Sequence, residues 1–135
     1  MTALAALLAL LMLQTTAPMR TLARGDQSFI ESERQVVARS GAEWNALWRQ
    51  HDPERAAPAV DFAKEMVVGV FLGSRNTAGY SVEILSAAVE QGTLVVRYRQ
   101  RAPSPGAITA QIITMPFHLV AVPTASAEVK FQRLQ

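Results

Sequence analysis

The sequence predicts a mainly β fold: an antiparallel meander or sandwich-like sheet of five or more strands, with one short Trp-bearing α-helix packed on it, behind an N-terminal apolar segment. Three observations carry this expectation. After residue 60 the apolar residues recur with period two, the pattern of a chain whose side chains point alternately to opposite faces. Turns bearing glycine and proline separate these runs at short intervals. A single stretch, Trp44 to Trp48, combines helical spacing with a start signal.

Bulk composition sets the frame. At 135 residues and 50% hydrophobic, the chain suits one domain around one core. It has no cysteine, which excludes a disulfide framework, a lipid-attached N-terminal Cys and a thiol nucleophile. Thirteen Lys and Arg against 11 Asp and Glu give a formal charge of +2, too small a field to track nucleic-acid phosphates.

The apolar run in "MTALAALLALLMLQ" is shorter than the roughly twenty residues needed to cross a bilayer core, and is similar to the h-region of a secretory signal. Residues 1–23 are read as a signal-peptide-like segment and 24–135 as a single β-rich domain. Thr21 and Ala23 suit cleavage before Arg24, whereas Pro18 disfavours cleavage after Ala17. No Lys or Arg precedes the run, which leaves open an upstream start or retention as an anchor. The expected location is the periplasm, cell envelope or medium, with membrane contact only through this segment if uncleaved.

Phe29, Ile30, Val36 and Val37 are sparse and predict one or two weak strands. Ser40 followed by Glu43 has the form of a capping box, in which each side chain satisfies the other residue's free backbone N–H. The helix that starts there carries Trp44, Leu47 and Trp48 on one stripe and ends before Pro53. Both tryptophans are expected to cover the sheet. Met66 to Leu72 is continuously apolar, as suits a central strand buried on both faces. Tyr80, Val82 and Ile84 then alternate with Ser81 and Glu83. Gln91 and Gly92 make a tight turn. Leu94, Val96 and Tyr98 face inward, leaving Arg97, Arg99 and Arg101 on a solvated outer face. Pro103, Pro105 and Gly106 force an irregular loop. "AQIITMPFHLVAV" resumes extended structure with a bulge or unpaired edge at Pro116, "PTASA" turns, and "EVKFQRL" is the last strand.

Up-and-down strand order puts the Gly73–Gly79 turn and the "RAPSPGA" loop at one end, with Gln91–Gly92 and "PTASA" at the other. Gly73, Gly79 and Tyr80 are structural: the glycines permit the turn and the tyrosine begins the next strand. Arg75, Asn76 and Thr77 together with Ser104 present a polar loop pair, the candidate protein-binding residues.

Catalytic signals are sparse. The two histidines, His51 beside Asp52 and His118 within a strand, have no second His three or four residues away. A protonated His51 would suit the helix C-terminus. There is no Gly-x-Ser-x-Gly turn and no glycine-rich phosphate loop. The expectation is a non-enzymatic protein without metal or other cofactor.

The succession "WNALWRQH", "PAVDFAKEMVVGVFLGSRNTAGYSVEI", "LVVRYRQRAPSPG" and "ITMPFHLVAV" resembles the C-terminal domain of the protease complex subunit PrcB family. The family's pattern falls on Trp44 and Trp48, Val60 to Phe62, Gly73, Thr77, Gly79 and Tyr80, Pro103, Pro105 and Gly106, and Thr114, Pro116 and Phe117. Ala78 departs from the family's usual Gly; either the turn differs or Ala78 keeps an ordinary backbone conformation. The resemblance implies a secreted or envelope-associated bacterial domain that accompanies a protease without proteolytic activity of its own. Thr77, Gly79 and Tyr80 are also similar to one loop of chagasin-type cysteine-protease inhibitors. Three functions follow as expectations: a protein-binding module for a protease or other envelope protein, a protease inhibitor acting through the same loops, and a small-ligand binder with an apolar pocket between helix and sheet.

Overall fold

Between Glu65 and Phe71 the chain buries both of its faces, and the rest of the fold is arranged around that strand. The computed structural model describes residues 14–135; the apolar run read as a secretory h-region lies outside the described residues. The described elements are β1 Gln14–Ala17, β2 Arg20–Gly25, β3 Arg34–Ala38, α1 Gly41–His51, β4 Glu65–Phe71, β5 Ser81–Glu90, β6 Thr93–Arg101, β7 Phe117–Pro123 and β8 Val129–Leu134.

They form two four-stranded sheets, β1-β5-β6-β8 and β2-β7-β4-β3. Met66, Val68, Val70 and Leu72 on one side of β4 pack with Val82, Ile84, Leu94, Val96 and Tyr98 of the facing sheet. Val67 and Phe71 on the other side pack with Trp44, Trp48, Phe117 and Leu119 beneath α1. Burial of each such side chain contributes about 1.5–3 kcal/mol, so the layering is helix, sheet, sheet. The arginines of β6 face outward, opposite Leu94, Val96 and Tyr98, as the alternation predicts.

Strand order differs from an end-to-end meander. Among the described residues, β3 with β4 and β5 with β6 are the consecutive strands that pair directly; β4 to β5, β6 to β7 and β7 to β8 each cross between sheets. The cause is β4, which is apolar on both faces and must be covered on both, so β5, with one apolar face, stacks over it rather than pairing beside it. Chain direction still alternates, so β8 lies parallel to β6, and each connection keeps its predicted end.

Three local features differ from the sequence reading. Ser40 Oγ accepts the Glu43 N–H at 3.2 Å, but the Glu43 carboxylate accepts from that same hydroxyl rather than from the Ser40 backbone. Residues 107–113 are irregular, Thr114 and Met115 make isolated bridges, and a regular strand resumes only at Phe117. The buried Pro116 has no N–H to give a ladder, yet its carbonyl accepts from Leu72 N at 2.9 Å. Finally, β1 and most of β2 fall inside the stretch read as a leader: Gln14 to Ala17 pair with β5, and β2 pairs with β7.

Candidate protein-binding surface

The turn after β4 and the long loop after β6 are joined by backbone hydrogen bonds. Arg75 N donates to Thr114 O at 2.8 Å and Thr114 N to Arg75 O at 2.9 Å, while Ala78 N donates to Ala110 O at 3.0 Å. The buried Thr114 hydroxyl donates to Thr77 O at 2.9 Å. Gly73, at φ +74, packs so closely on the 31–33 backbone that a Cβ would stand 2.7 Å from Glu31 O. Gly79, at φ +97, leaves only 2.8 Å between such an atom and Pro103 Cγ. Both glycines are therefore required by conformation and by close approach. Ala78 keeps an ordinary backbone, since Gln91 is the one non-glycine with positive φ among the described residues.

On this frame the Arg75 guanidinium carbon lies 5.7 Å from the centroid of the half-buried Tyr80 ring, within cation–π range. Asn76 is exposed at the turn. Thr77 serves mainly the loop itself, its hydroxyl donating to Ala78 O at 3.0 Å. Exposed Ser104 starts the turn through Pro105 and Gly106, its carbonyl accepting from Ala107 N at 2.9 Å. The candidate residues thus share one end of the sandwich, with Arg75, Asn76 and Thr77 on one connection and Ser104 on the other.

Sequence reasoning missed two parts of this end. The first is apolar: Ile108, Ile112 and Ile113 are 102%, 50% and 65% exposed, three large aliphatics on a single irregular loop. Ile112 and Ile113 lie in the stretch from Ala110 read as resumed extended structure, and Ile108 just before it. The second is a pair of adjoining clefts joined at Arg101. One, of about 200 Å³, lies between Arg75, Tyr80, Gln100, Arg101 and Arg133. The other, of about 280 Å³, is lined by Arg24, Ser81, Glu83, Arg99 and Arg101. Glu83 accepts from Arg99 Nη2 at 2.9 Å and from Arg24 Nη1 at 3.2 Å. The Arg99 hydrogen bond holds its carboxyl below the usual carboxylate range. Arg24 also donates Nε to Val82 O, on the part of the β5 edge that β1 does not pair.

Both histidines are engaged in structure. His118 Nδ1 accepts from Ile84 N at 2.8 Å and its Nε2 is 3.0 Å from Thr21 Oγ1. Burial, with nearby Arg24, pushes it down to about 4. His51 does not sit on the helix end as an exposed cation: it is buried against Trp48, Phe71 and Phe117, with Nδ1 2.8 Å from Ser28 Oγ. Burial lowers its pKa despite Asp52. Trp44 and Trp48 occupy the space beneath α1, their indole N–H groups donating to Pro58 O and Arg55 O, and a cleft of about 360 Å³ remains at the helix end between Phe29, His51, Asp52, Arg55 and Phe117. Among the described residues no group of three His, Asp or Glu converges to hold a metal.

Residues 66–123 match a family model described as PrcB C-terminal. The match runs from β4 through β7 and includes both connections of the surface, leaving α1 with its tryptophans, and Val60 to Phe62, outside it. No curated protein and no solved structure matches the chain.

Proposed function

From a PrcB C-terminal match over residues 66–123, a family that points to accessory domains of protease complexes, we propose that the chain is a non-enzymatic, exported protein-binding module whose paired connections contact a protease or another envelope protein. The observation that carries this reading is the stitched loop pair, which holds Ile108, Ile112 and Ile113 out of the core beside a half-buried Arg75. Rigid presentation of exposed aliphatics with an adjacent arginine is what a recognition surface needs. Both histidines being held in structural hydrogen bonds supports the non-enzymatic part. The leader-like segment supports export.

The test is affinity capture from the native envelope with the full chain and with a variant carrying Ile108→Ser and Ile113→Ser. The expected result is recovery of a protease-containing complex by the native chain only, with the variant's thermal unfolding unchanged. Equal capture by both proteins overturns the reading. The full exposure of Ile108 favours a second reading, that of an inhibitor inserting this loop into a cleft. Inhibition of papain-like or serine proteases, lost on Arg75→Ala with Asn76→Ala, would establish it.

A further inference from the structure

We propose that the two clefts joined at Arg101 form a carboxylate-binding groove that receives an acidic, Asp- or Glu-rich segment of a partner polypeptide. This deepens the protein-binding reading and rests on it. Five of the chain's 13 basic residues, Arg24, Arg75, Arg99, Arg101 and Arg133, line these clefts, against Glu83 alone of its 11 acidic ones. The remainder of the chain is therefore net acidic, and the +2 total conceals a strongly polarised molecule.

The donors are unequally occupied. Glu83 draws on one nitrogen each of Arg24 and Arg99. Among the described residues, the guanidinium groups of Arg101 and Arg133 and the Ser81 hydroxyl have no hydrogen-bond or ion-pair partner, although all three line the clefts. Arg99 Nε is enclosed without an acceptor, the one buried side-chain atom so left among the described residues. Pairing across β5 and β6 fixes the spacing, with Ser81 opposite Arg101 and Glu83 opposite Arg99. Rigid strands thus hold Ser81, Arg99 and Arg101 on the outer face of the sheet, while Arg133, opposite Tyr98, approaches from the inner face at the strand end, so that the groove passes over the sheet end at Arg101; forked donors so fixed suit carboxylate oxygens.

A nucleic-acid strand fits less well. Tyr98 is buried in the core and Tyr80 lies under Arg75, so neither offers an open stacking face. Glu83 would oppose a continuous phosphate backbone, whereas a peptide can set its carboxylates to either side of it.

The experiment measures fluorescence anisotropy of labelled octaglutamate, octaglutamine and a single-stranded octanucleotide against the full chain at low salt, with inorganic sulfate as competitor. Octaglutamate should bind, octaglutamine should not, and added salt should weaken binding. Arg101→Glu should lower affinity about tenfold or more, the loss of one charge-assisted pair. Arg49→Glu, an equal charge change on the helix, should alter it less than about twofold. Glu83→Gln should raise it by removing the internal competitor. Equal effects of Arg101→Glu and Arg49→Glu overturn the groove in favour of overall charge. Tighter, Arg101-dependent binding of the oligonucleotide, or full displacement by sulfate at equimolar concentration, overturns the choice of ligand. Because the probes are synthetic, loss of native capture in the Ile108→Ser, Ile113→Ser variant with octaglutamate binding retained separates this inference from the loop reading.

Discussion

The ring nitrogen Nδ1 of His118 stands 2.8 Å from the backbone nitrogen of Ile84, so a β7 side chain in one sheet accepts the hydrogen bond that the edge of β5 in the other would leave unmade. Accepting there fixes the tautomer: the proton resides on Nε2, 3.0 Å from the Thr21 hydroxyl. Arg24 closes the neighbouring edge carbonyl, Val82 O, in the same way. One side-chain pair therefore joins the sheets and blocks edge-to-edge association.

This relationship makes stability depend on acid. The folded pKa of His118 lies at about 4, below its value of 6.5 in the unfolded chain. Between those values the unfolded state binds the extra proton, so stability is complete above 6.5 and falls as pH drops toward 4, by about 3 kcal/mol at most. The lowered pKa of His51 acts in the same direction. Urea unfolding between pH 4 and 7.5 should show this slope. His118→Gln should flatten much of it while costing about 1–3 kcal/mol at pH 7, through the unpaired Ile84 N–H. An unchanged slope in the variant refutes the assignment.

The ends of the strands were legible where their sheet membership was not. Turn residues such as Gln91–Gly92 and Pro103–Gly106 reveal where the chain reverses, and each reversal flips direction whether the next strand pairs alongside or stacks opposite. That is why Arg75 and Ser104 share an end in a sandwich as they would in a meander. Pairing partners depend instead on which apolar face finds which, a long-range choice between β4, β5 and β7 that period-two alternation does not encode. The basic groove was hidden for a similar reason: Arg24 and Arg133 join Arg99 and Arg101 only after β2 and β8 close the two sheets.

Gly79 and Pro103 offer a test of how tightly the loops are joined. Gly79→Ala adds a Cβ 2.8 Å from Pro103 Cγ on a backbone at φ +97, and should cost about 1–3 kcal/mol. In a Pro103→Ala background the ring contact is gone while the backbone strain remains. The same substitution should then cost measurably less in chemical denaturation, a positive coupling in a double-mutant cycle. Strict additivity would mean that the loops separate freely.

Trp48 reports on the helix–sheet layer. It is buried, 5.4 Å from Trp44 between ring centroids, and its N–H donates to Arg55 O at 2.9 Å. Trp48→Ala should destabilise the domain by about 3–5 kcal/mol, and Trp48→Phe by less. Emission of the native chain should be blue-shifted and poorly quenched by iodide. Solvent-like emission would place the indoles outside the core.

The amino-terminal strands bear on where the folded domain begins. Ala17 packs against the core between the sheets, and Leu22 and Ala23 against the layer under α1. Among the described residues, the β2–β7 ladder from Arg20 to Gly25 is also the only pairing on that side of β7, whose other edge belongs to β4. A chain beginning at Arg24 would open the β7 edge from Leu119 to Ala121, remove Thr21 from His118, and uncover the β5 edge from Ala87 to Glu90 that β1 protects. Open edges of this kind recruit other chains. The chain 24–135 should therefore melt at lower temperature than 14–135 and self-associate at concentrations where the longer chain does not. Size-exclusion chromatography with thermal unfolding of the two proteins decides the matter, and equal behaviour would show that β1 and β2 are dispensable to the sandwich.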